Sequence, residues 1–471
     1  MADQLAFAAL SGDHNPIHID ALAARRTQAG APVVHGMHLV MWALDALAAG
    51  GLVSQQLRGI RAQFHKFTYL DIACDVELSQ LDSHGARIDL CSNGLVLATI
   101  QLRNGGRRIV AEAVGAAYAT PATEAGEVPL APSLPDVAGW RGWVTVPGTA
   151  AQFEAAFPAL VRVIGARRAA GLATLSRLVG MVCPGLHSIF AGFDAALVEP
   201  VSQRIGVSFE VTKLHQQYRM IGMNVGGDGL SGTATTFMRW PPVEAPAMSA
   251  IAAAVTAGKF AGAVALVIGG SRGLGAVTAK VIAAGGGRVI ITYAKGADDA
   301  ARLAAEINAA RGPAVCTALA YDSLRTAASQ LAALNADVNQ LYYFATPPIL
   351  AGPPDQFSPE RFREFRSVYV DGFDDACRFV RTRSRVPLLA AFYPSSVYVT
   401  EAPPGLAEYA SAKAEGEQLC ATIGQQIPGL KVVIGRLPRV LTDQTATIAR
   451  VDNADPLTVM LPFVNQLQEP A

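Results

Sequence analysis

Charge is scarce in this 471-residue chain: Asp, Glu, Lys and Arg make up 16% of it and apolar residues 51%, whereas an ordinary globular protein carries roughly 25% charge. So apolar a chain cannot stay disordered, because it buries enough surface to offset the entropy of folding. The charges also cancel, 38 Lys and Arg against 38 Asp and Glu. No basic block stands out, which argues against a nucleic-acid or anionic-lipid partner. Long apolar runs are missing as well: stretches such as Ala261–Ile268 fall far short of the ~18–20 residues of a membrane span. The N-terminal M-A-D-Q-L-A-F lacks the basic flank of a signal peptide. The six cysteines (Cys74, Cys91, Cys183, Cys316, Cys377 and Cys420) are scattered, with no C-x-x-C pair, as free thiols in a reducing compartment would be. These absences together predict a soluble, cytoplasmic protein without a nucleic-acid or membrane partner.

What is present falls into units. The length alone suggests about three domains at ~150 residues each, and Pro-rich stretches at Thr120–Pro135 and Trp240–Met248 punctuate the chain. The expected division is 1–125, 126–248 and 256–471. F-A-A-L at Phe7–Leu10 recurs as F-P-A-L at Phe157–Leu160, and His38-x6-Asp45 recurs as His187-x6-Asp194, at offsets of 150 and 149 residues. A tandem repeat of one helix-plus-sheet module is expected, with each His-x6-Asp in a helical segment (Met37–Leu47 and Leu186–Leu197). From Ala261 short apolar runs alternate with Ala-rich stretches, the βαβ pattern of a parallel sheet covered on both faces. All eight histidines lie between His14 and His215, so the third unit works without imidazole.

Residues Ser11–His18 read S-G-D-H-N-P-I-H, followed by V-V-H-G-M at Val33–Met37. Asp13 and His18 flank an Asn-Pro turn that can bring a carboxylate and an imidazole to one site. Gly36 stands at a predicted helix start, where free N–H groups can stabilise an oxyanion. Taken alone, an Asp and a His beside a turn are ordinarily an Asx turn and a surface histidine. The whole string, F-A-A-L-S-G-D-H-N-P-I-H with P-V-V-H-G-M, closely resembles the hydratase 2 motif of MaoC-like, (R)-specific enoyl-thioester hydratases of the hot-dog fold. That resemblance implies Asp13 and His18 as the acid/base pair and Gly36 N–H as the thioester-oxygen donor. His14/His18 and His35/His38 have spacings compatible with metal ligation, but no carboxylate cluster surrounds them and no metal is expected. In the second repeat Val163 and Arg168 stand 150 residues after Asp13 and His18, so that copy is expected to be inactive and to shape an acyl pocket. The resemblance extends to double hot-dog hydratases. His187 and Asp194 are expected to pack or hydrogen-bond within their helix.

After the apolar run Val264–Ile268 comes G-G-S-R-G-L-G, Gly269–Gly275, leading into a predicted helix. Glycines there let backbone approach a pyrophosphate at a helix N-terminus. No acidic residue ends the next strand, Arg288–Lys295, and Arg272 and Lys295 can pair with a 2′-phosphate, which favours NADP(H) over NAD. Further on, Y-A-S-A-K supplies Tyr409 and Lys413, with Ser396 13 residues before the tyrosine. Lys413 is expected to lower the Tyr409 phenol pKa by charge proximity. Tyr-x-x-x-Lys by itself occurs on any helix. With the Gly-rich loop, the order and the spacing, it resembles short-chain dehydrogenases/reductases, nearest to 3-oxoacyl-thioester reductases. The resemblance implies Tyr409 as proton donor, Lys413 as its activator and ribose ligand, and Ser396 as carbonyl holder. It also implies Gly269, Ser271, Arg272, Gly273, Leu274 and Lys295 around the cofactor, Asp322 at the adenine, and a homo-oligomer. Departures from the family pattern are Ile268 before the loop, Y-F-A-T at Tyr343–Thr346, Tyr369 where the catalytic asparagine stands, Pro438-Arg439, and a short tail.

The expected architecture is an α+β double hot-dog followed by an α/β Rossmann-type doubly wound sheet. The expected function is a bifunctional NADPH-dependent 3-oxoacyl-thioester reductase and (R)-3-hydroxyacyl-thioester dehydratase acting on acyl-CoA or acyl-carrier-protein substrates. The same steps run oxidatively, and a scaffold with one dead domain, are the alternatives.

Overall fold

The computed structural model describes residues 1–105, 128–200, 205–443, 445, 448 and 451–469. The expected boundary near residue 125 lies outside them. The chain forms two compact units that divide after Pro241.

The first unit is built on one nine-stranded sheet in which all pairs are antiparallel. Its strands are β1 (Leu57–Phe64), β2 (Asp75–Asp82), β3 (Gly85–Ser92), β4 (Leu95–Asn104), β5 (Arg141–Val144), β6 (Ser188–Leu197), β7 (Val207–His215), β8 (Met220–Gly227) and β9 (Leu230–Met238). Their order is β2-β3-β4-β1-β6-β9-β8-β7-β5. Each half has three hairpin-linked strands with the strand before them, β1 or β6, at the inner edge; β1 pairs with β6 to join the halves, and β5 adds the ninth strand outside β7. The helices Gly36–Ala49 and Ala166–Arg177 lie in the same core, with Met37, Met41, Leu44, Leu172 and Leu175 fully buried. Gly36–Ala49 is apolar over most of its surface, as a helix enclosed by its surroundings must be.

Two expectations fail here. Leu186–Leu197 is not helical: Gly185–His187 is a single 3-10 turn and Ser188–Leu197 is strand β6. Its alanines favour helix, but pairing on both edges, with β1 and β9, outweighs local propensity. Asp194 therefore sits on a sheet, ion-paired with Arg103 of β4, and does not share a helix with His187. The repeat offset also differs, since corresponding strands of the two halves start about 130 residues apart, Leu57 against Ser188. Val163 and Arg168 are consequently not the counterparts of Asp13 and His18; Arg168 pairs with Glu199 at 3.0 Å.

The second unit carries a six-stranded parallel sheet: β10 (Val264–Ile268), β11 (Arg288–Tyr293), β12 (Cys316–Ala320), β13 (Gln340–Tyr343), β14 (Leu389–Ser396) and β15 (Leu430–Leu437). The order β12-β11-β10-β13-β14-β15 is the Rossmann-type doubly wound order, with its switch point between β10 and β13. Alternate residues of β10 enter different cores, Ala265 and Val267 on one face, Leu266 and Ile268 on the other. Burial on both faces explains why the strand reads as an unbroken apolar run. Among the described residues β15 is the last strand, the six cysteines are free thiols, and no helix is long and apolar enough to cross a membrane.

Candidate active sites

In the first unit the helix Ala2–Ser11 stops at Gly12, whose φ of 73° is the left-handed conformation a helix end commonly requires. The chain reverses there and carries Asp13 inward. Asn15 then holds the turn: its side-chain oxygen accepts from Ile17 N at 3.2 Å, capping the helix Pro16–Ile19, and its Nδ2 donates to Gly180 O at 2.8 Å and Gly185 O at 3.1 Å. His18 rides on that short helix. Its Nδ1 lies 2.8 Å from Val33 O, and since a carbonyl only accepts, Nδ1 carries the proton and Nε2 is left able to take one.

Asp13 is 2% exposed. Its Oδ2 accepts from Ser176 Oγ at 2.7 Å and its Oδ1 from Asn15 N at 3.2 Å. Burial raises its pKa, against the opposing pull of His18, the Ser176 and Asn15 hydrogen bonds and His14. Burial lowers that of His18, against the attraction of Asp13 and the Val33 bond. The two groups are thus brought toward each other in proton affinity, which suits a pair that exchanges protons with a substrate. Asp13, His18 and Gly36 line one cavity of about 380 Å³ together with Phe64, Ser176 and Phe190. Gly36 is the first residue of its helix, so its N–H belongs to the turn without intrahelical acceptors. A Cβ there would lie 2.9 Å from Phe64 Cζ.

Sequence reasoning missed three supports. Ser176 and Gly180 come from the second half, and a Cβ at Gly180 would stand 2.2 Å from Asp13 Oδ1; nothing local in the sequence signals either. His35 is fully buried, with ring nitrogens 2.9 Å from Gln4 Oε1 and 3.0 Å from Asp13 O, and stacks on His18 at 3.9 Å. Its place in V-V-H-G-M was the available signal. Asp13, His18 and His35 bring three ligand atoms within 4.8 Å of one another, a grouping that the helical spacings did not predict. His35 has both ring nitrogens against protein oxygens, however, so Asp13 and His18 line the cavity without His35 completing a closed ligand set.

In the second unit the Gly-rich loop follows β10 at its carboxyl end and opens the helix Gly273–Ala284. Gly269 has φ 72°, and a Cβ on it would sit 2.8 Å from Phe344 C; one on Gly275 would sit 2.4 Å from Gly269 O. Above Gly273, φ 54°, the nearest atom to a Cβ is 3.7 Å away. This is an open cradle at a helix N-terminus with close backbone packing beneath, and it fits a dinucleotide diphosphate. Ser271 and Leu274 belong to the same loop and turn. Lys295 is exposed two residues past β11, and Asp322 is half-buried past β12, its Oδ1 accepting from Leu324 N at 3.0 Å.

The cation expected for a 2′-phosphate is already engaged. Arg272 is ion-paired with Asp443 and lies 3.7 Å from Asp299. Asp299 sits buried on the helix Ala297–Arg311, six residues past β11, so a carboxylate does reach this corner although none ends the strand.

Ser396 ends β14, and Tyr409 and Lys413 lie on the helix Ala407–Gln426; all three are buried. The expected effect of Lys413 on Tyr409 is not found. Burial raises the Tyr409 pKa, and a hydrogen bond with Ser396 is what opposes it. Lys413 Nζ instead donates to Pro394 O at 2.6 Å and lies 3.7 Å over the Tyr369 ring. Tyr369 fills the asparagine position from a π-helical segment, Ser367–Asp371, and its hydroxyl lies 2.6 Å from Thr346 Oγ1.

Two family models match parts of this chain. The family model for a MaoC like domain matches residues 1–88, which include Asp13, His18 and Gly36. The model for short chain dehydrogenases matches residues 263–372, which hold the Gly-rich loop but not Ser396, Tyr409 or Lys413. An (R)-specific enoyl-CoA hydratase of Aeromonas caviae is 47% identical over 58 residues, 12% of this chain and 39% of that protein; the chain thus spans well under half of this curated relative. Among solved structures, a short chain dehydrogenase from Burkholderia cenocepacia J2315 in complex with NADP is 26% identical (TM-score 0.37, 44% of this chain and 91% of that one). A dehydrogenase/reductase from Sinorhizobium meliloti 1021 is 22% identical (TM-score 0.39, 46% and 91%).

Proposed function

We propose that this chain, which joins a MaoC-like dehydratase domain to a short-chain dehydrogenase domain, is a bifunctional acyl-thioester enzyme. In this reading residues 1–125 and 126–248 are two hot-dog repeats, the first catalytic and the second shaping the acyl pocket, and 256–471 is an NADPH-dependent ketoreductase. The observation that carries it is the buried Asp13–His18 pair on an otherwise largely apolar cavity that a helix N-terminus also lines. In hydration His18 Nε2 and Asp13 take a proton from water on one face of the enoyl group and return one to the α-carbon, while Gly36 N–H holds the thioester oxygen as it gains charge. Dehydration is the reverse. The test is incubation with crotonyl-CoA, following loss of the enoyl thioester and the configuration of the 3-hydroxy product; no hydration of any 2-enoyl thioester would overturn the reading.

At the second site Gly269, Ser271, Gly273 and Leu274 would hold the diphosphate, Asp322 the adenine, and Arg272 and Lys295 the 2′-phosphate. When bound, the reduced nicotinamide supplies a hydride to the 3-oxo carbon. Ser396 holds the carbonyl oxygen and Tyr409 delivers its proton, giving a 3-hydroxyacyl thioester that is the substrate of the first site. A shared intermediate favours covalent linkage, because tethering raises effective concentration. One observation favours a second reading, a nucleotide-binding domain without turnover: Lys413 is held by the Tyr369 ring and Pro394 O and does not act on the Tyr409 hydroxyl.

Two further results are expected. Ser176→Ala removes a bond that favours the ionised Asp13, so the Asp13 pKa rises further and the acid limb of the hydration pH profile moves to higher pH; an unmoved limb would detach Ser176 from the site. For the cofactor, NADPH should bind more tightly than NADH. Arg272→Ala should erode that preference by roughly 1.5–3 kcal/mol, the scale of a charge-assisted hydrogen bond, and Asp299→Asn should widen it by removing a like charge. Equal affinities in the unmodified protein would reject NADP specificity.

A further inference from the structure

The acid/base cavity opens along one end of the nine-stranded sheet, lined by Phe64 at the end of β1, Ile189 near the start of β6 and Phe237 near the end of β9. The register continues outward at that same end: Ile189 faces Phe237, Phe237 faces Met220, and Met220 faces His215. Arg219, in the β7–β8 turn, is therefore two strand spacings from β6, roughly 10 Å.

Arg219 Nε donates to Met238 O at 2.7 Å and the guanidinium lies 3.9 Å from the centre of the Trp240 ring. Arg239, the residue after Met238 and 6% exposed, donates from Nη2 to Leu186 O at 2.7 Å and from its backbone N to His187 O at 2.8 Å. Its buried Nε has no partner, and neither does His187 Nδ1. Among the described residues no carboxylate pairs with Arg219 or Arg239. Burial alone acts on both guanidiniums, pulling Arg239 down to about 10, and the two cations help hold His187 down at about 4. Both guanidiniums act on His187, and with only carbonyl oxygens and the Trp240 ring as partners, one of them deeply buried, they carry charge that no described carboxylate compensates. Exposed Trp240 and Tyr218 flank them.

We infer that Arg219, Arg239 and His187 form a phosphoryl-binding subsite that anchors the phosphorylated end of the thioester's pantetheine arm. The inference rests on the thioester reading of the Asp13–His18 cavity. Planar guanidinium forks match phosphate geometry, and His187 directly precedes Ser188, which lines the cavity. Both CoA and a carrier protein's phosphopantetheine present this chemistry.

The test compares crotonyl-CoA with crotonyl-pantetheine, which lacks phosphate, on the full chain. The unmodified protein should show a KM at least tenfold lower for the CoA ester. Arg219→Gln, at a half-exposed position, should raise that KM roughly tenfold, the effect of one charge-assisted hydrogen bond, and Arg239→Gln should do likewise if it folds. The preference for CoA should then approach one. Equal KM values for the two esters in the unmodified protein, or an unchanged KM in Arg219→Gln, would overturn the inference. Calorimetric binding of CoA separates this from the hydratase reading. If neither ester is hydrated but CoA binds and Arg219→Gln weakens it, the subsite stands and the hydratase reading falls. If CoA binds the two proteins equally, the subsite falls whatever the turnover. Dephospho-CoA and 4′-phosphopantetheine in the same assay locate the phosphate: full affinity for 4′-phosphopantetheine marks the arm's own phosphate, the group a carrier protein shares, whereas a loss confined to dephospho-CoA would place the subsite on the 3′-phosphate and overturn the assignment to the arm.

Discussion

Asp13→Asn and His18→Ala should each reduce hydration of a 2-enoyl thioester by about 10²–10⁴-fold, the usual contribution of a positioned acid or base, and leave reduction of a 3-oxoacyl thioester intact. Asn is nearly isosteric with Asp. It keeps an acceptor for Asn15 N, and the Ser176 hydroxyl can rotate to accept from the new amide, so the buried turn retains its bonds. What disappears is the proton-accepting oxygen. His18→Ala removes the free Nε2 and the stacking on His35, so its thermal stability should be measured alongside its rate. Hydration within a few fold of the unmodified protein in Asp13→Asn, with the fold intact by circular dichroism, would remove Asp13 from the chemistry.

Tyr409→Phe should abolish NADPH oxidation by 3-oxoacyl thioesters, a loss of at least ~10²-fold, without weakening NADPH binding. The ring is packed edge-on against Phe365, Tyr369 and Tyr398, and phenylalanine preserves all three contacts while deleting the hydroxyl that meets Ser396. The pH dependence of the unmodified protein probes the same site. Burial pulls the Lys413 ammonium down to about 7, whereas the Tyr369 ring and Pro394 carbonyl favour its charge. If reduction needs that charge, the rate is full at low pH and falls as pH rises through about 7. Should the unmodified protein bind NADPH yet reduce no 3-oxoacyl thioester, on CoA or on carrier protein, the domain is a nucleotide-binding scaffold. The first site is then the sole catalyst.

Much of this was legible because local chemistry carries it. S-G-D-H-N-P specifies a helix stop, a turn and a cap within six residues, each depending on near neighbours. The Gly-rich loop between an apolar strand and a helix is equally local, and the alternation after Ala261 reflects burial on both faces of a parallel sheet. Where the reading depended on distant partners it failed. Leu186–Leu197 has helix-compatible composition and became a strand because β1 and β9 flank it. Arg272, expected at a 2′-phosphate, pairs with Asp443, a partner 171 residues away in sequence that no local pattern signals.

By itself the sequence determined the two kinds of sheet, the loops that bear Asp13, His18 and the glycines, and the residue types available for acid/base and nucleotide chemistry. Only the tertiary structure decided what surrounds them. It closed Asp13 with Ser176 and Gly180 from the other half, turned Lys413 toward Tyr369, and brought the charges of Arg219 and Arg239 to bear on His187. The physical reason is that turns, caps and periodicity are set by neighbours in the chain, whereas desolvation and the pairing of buried charges depend on whichever side chains the folded chain brings within a few ångströms.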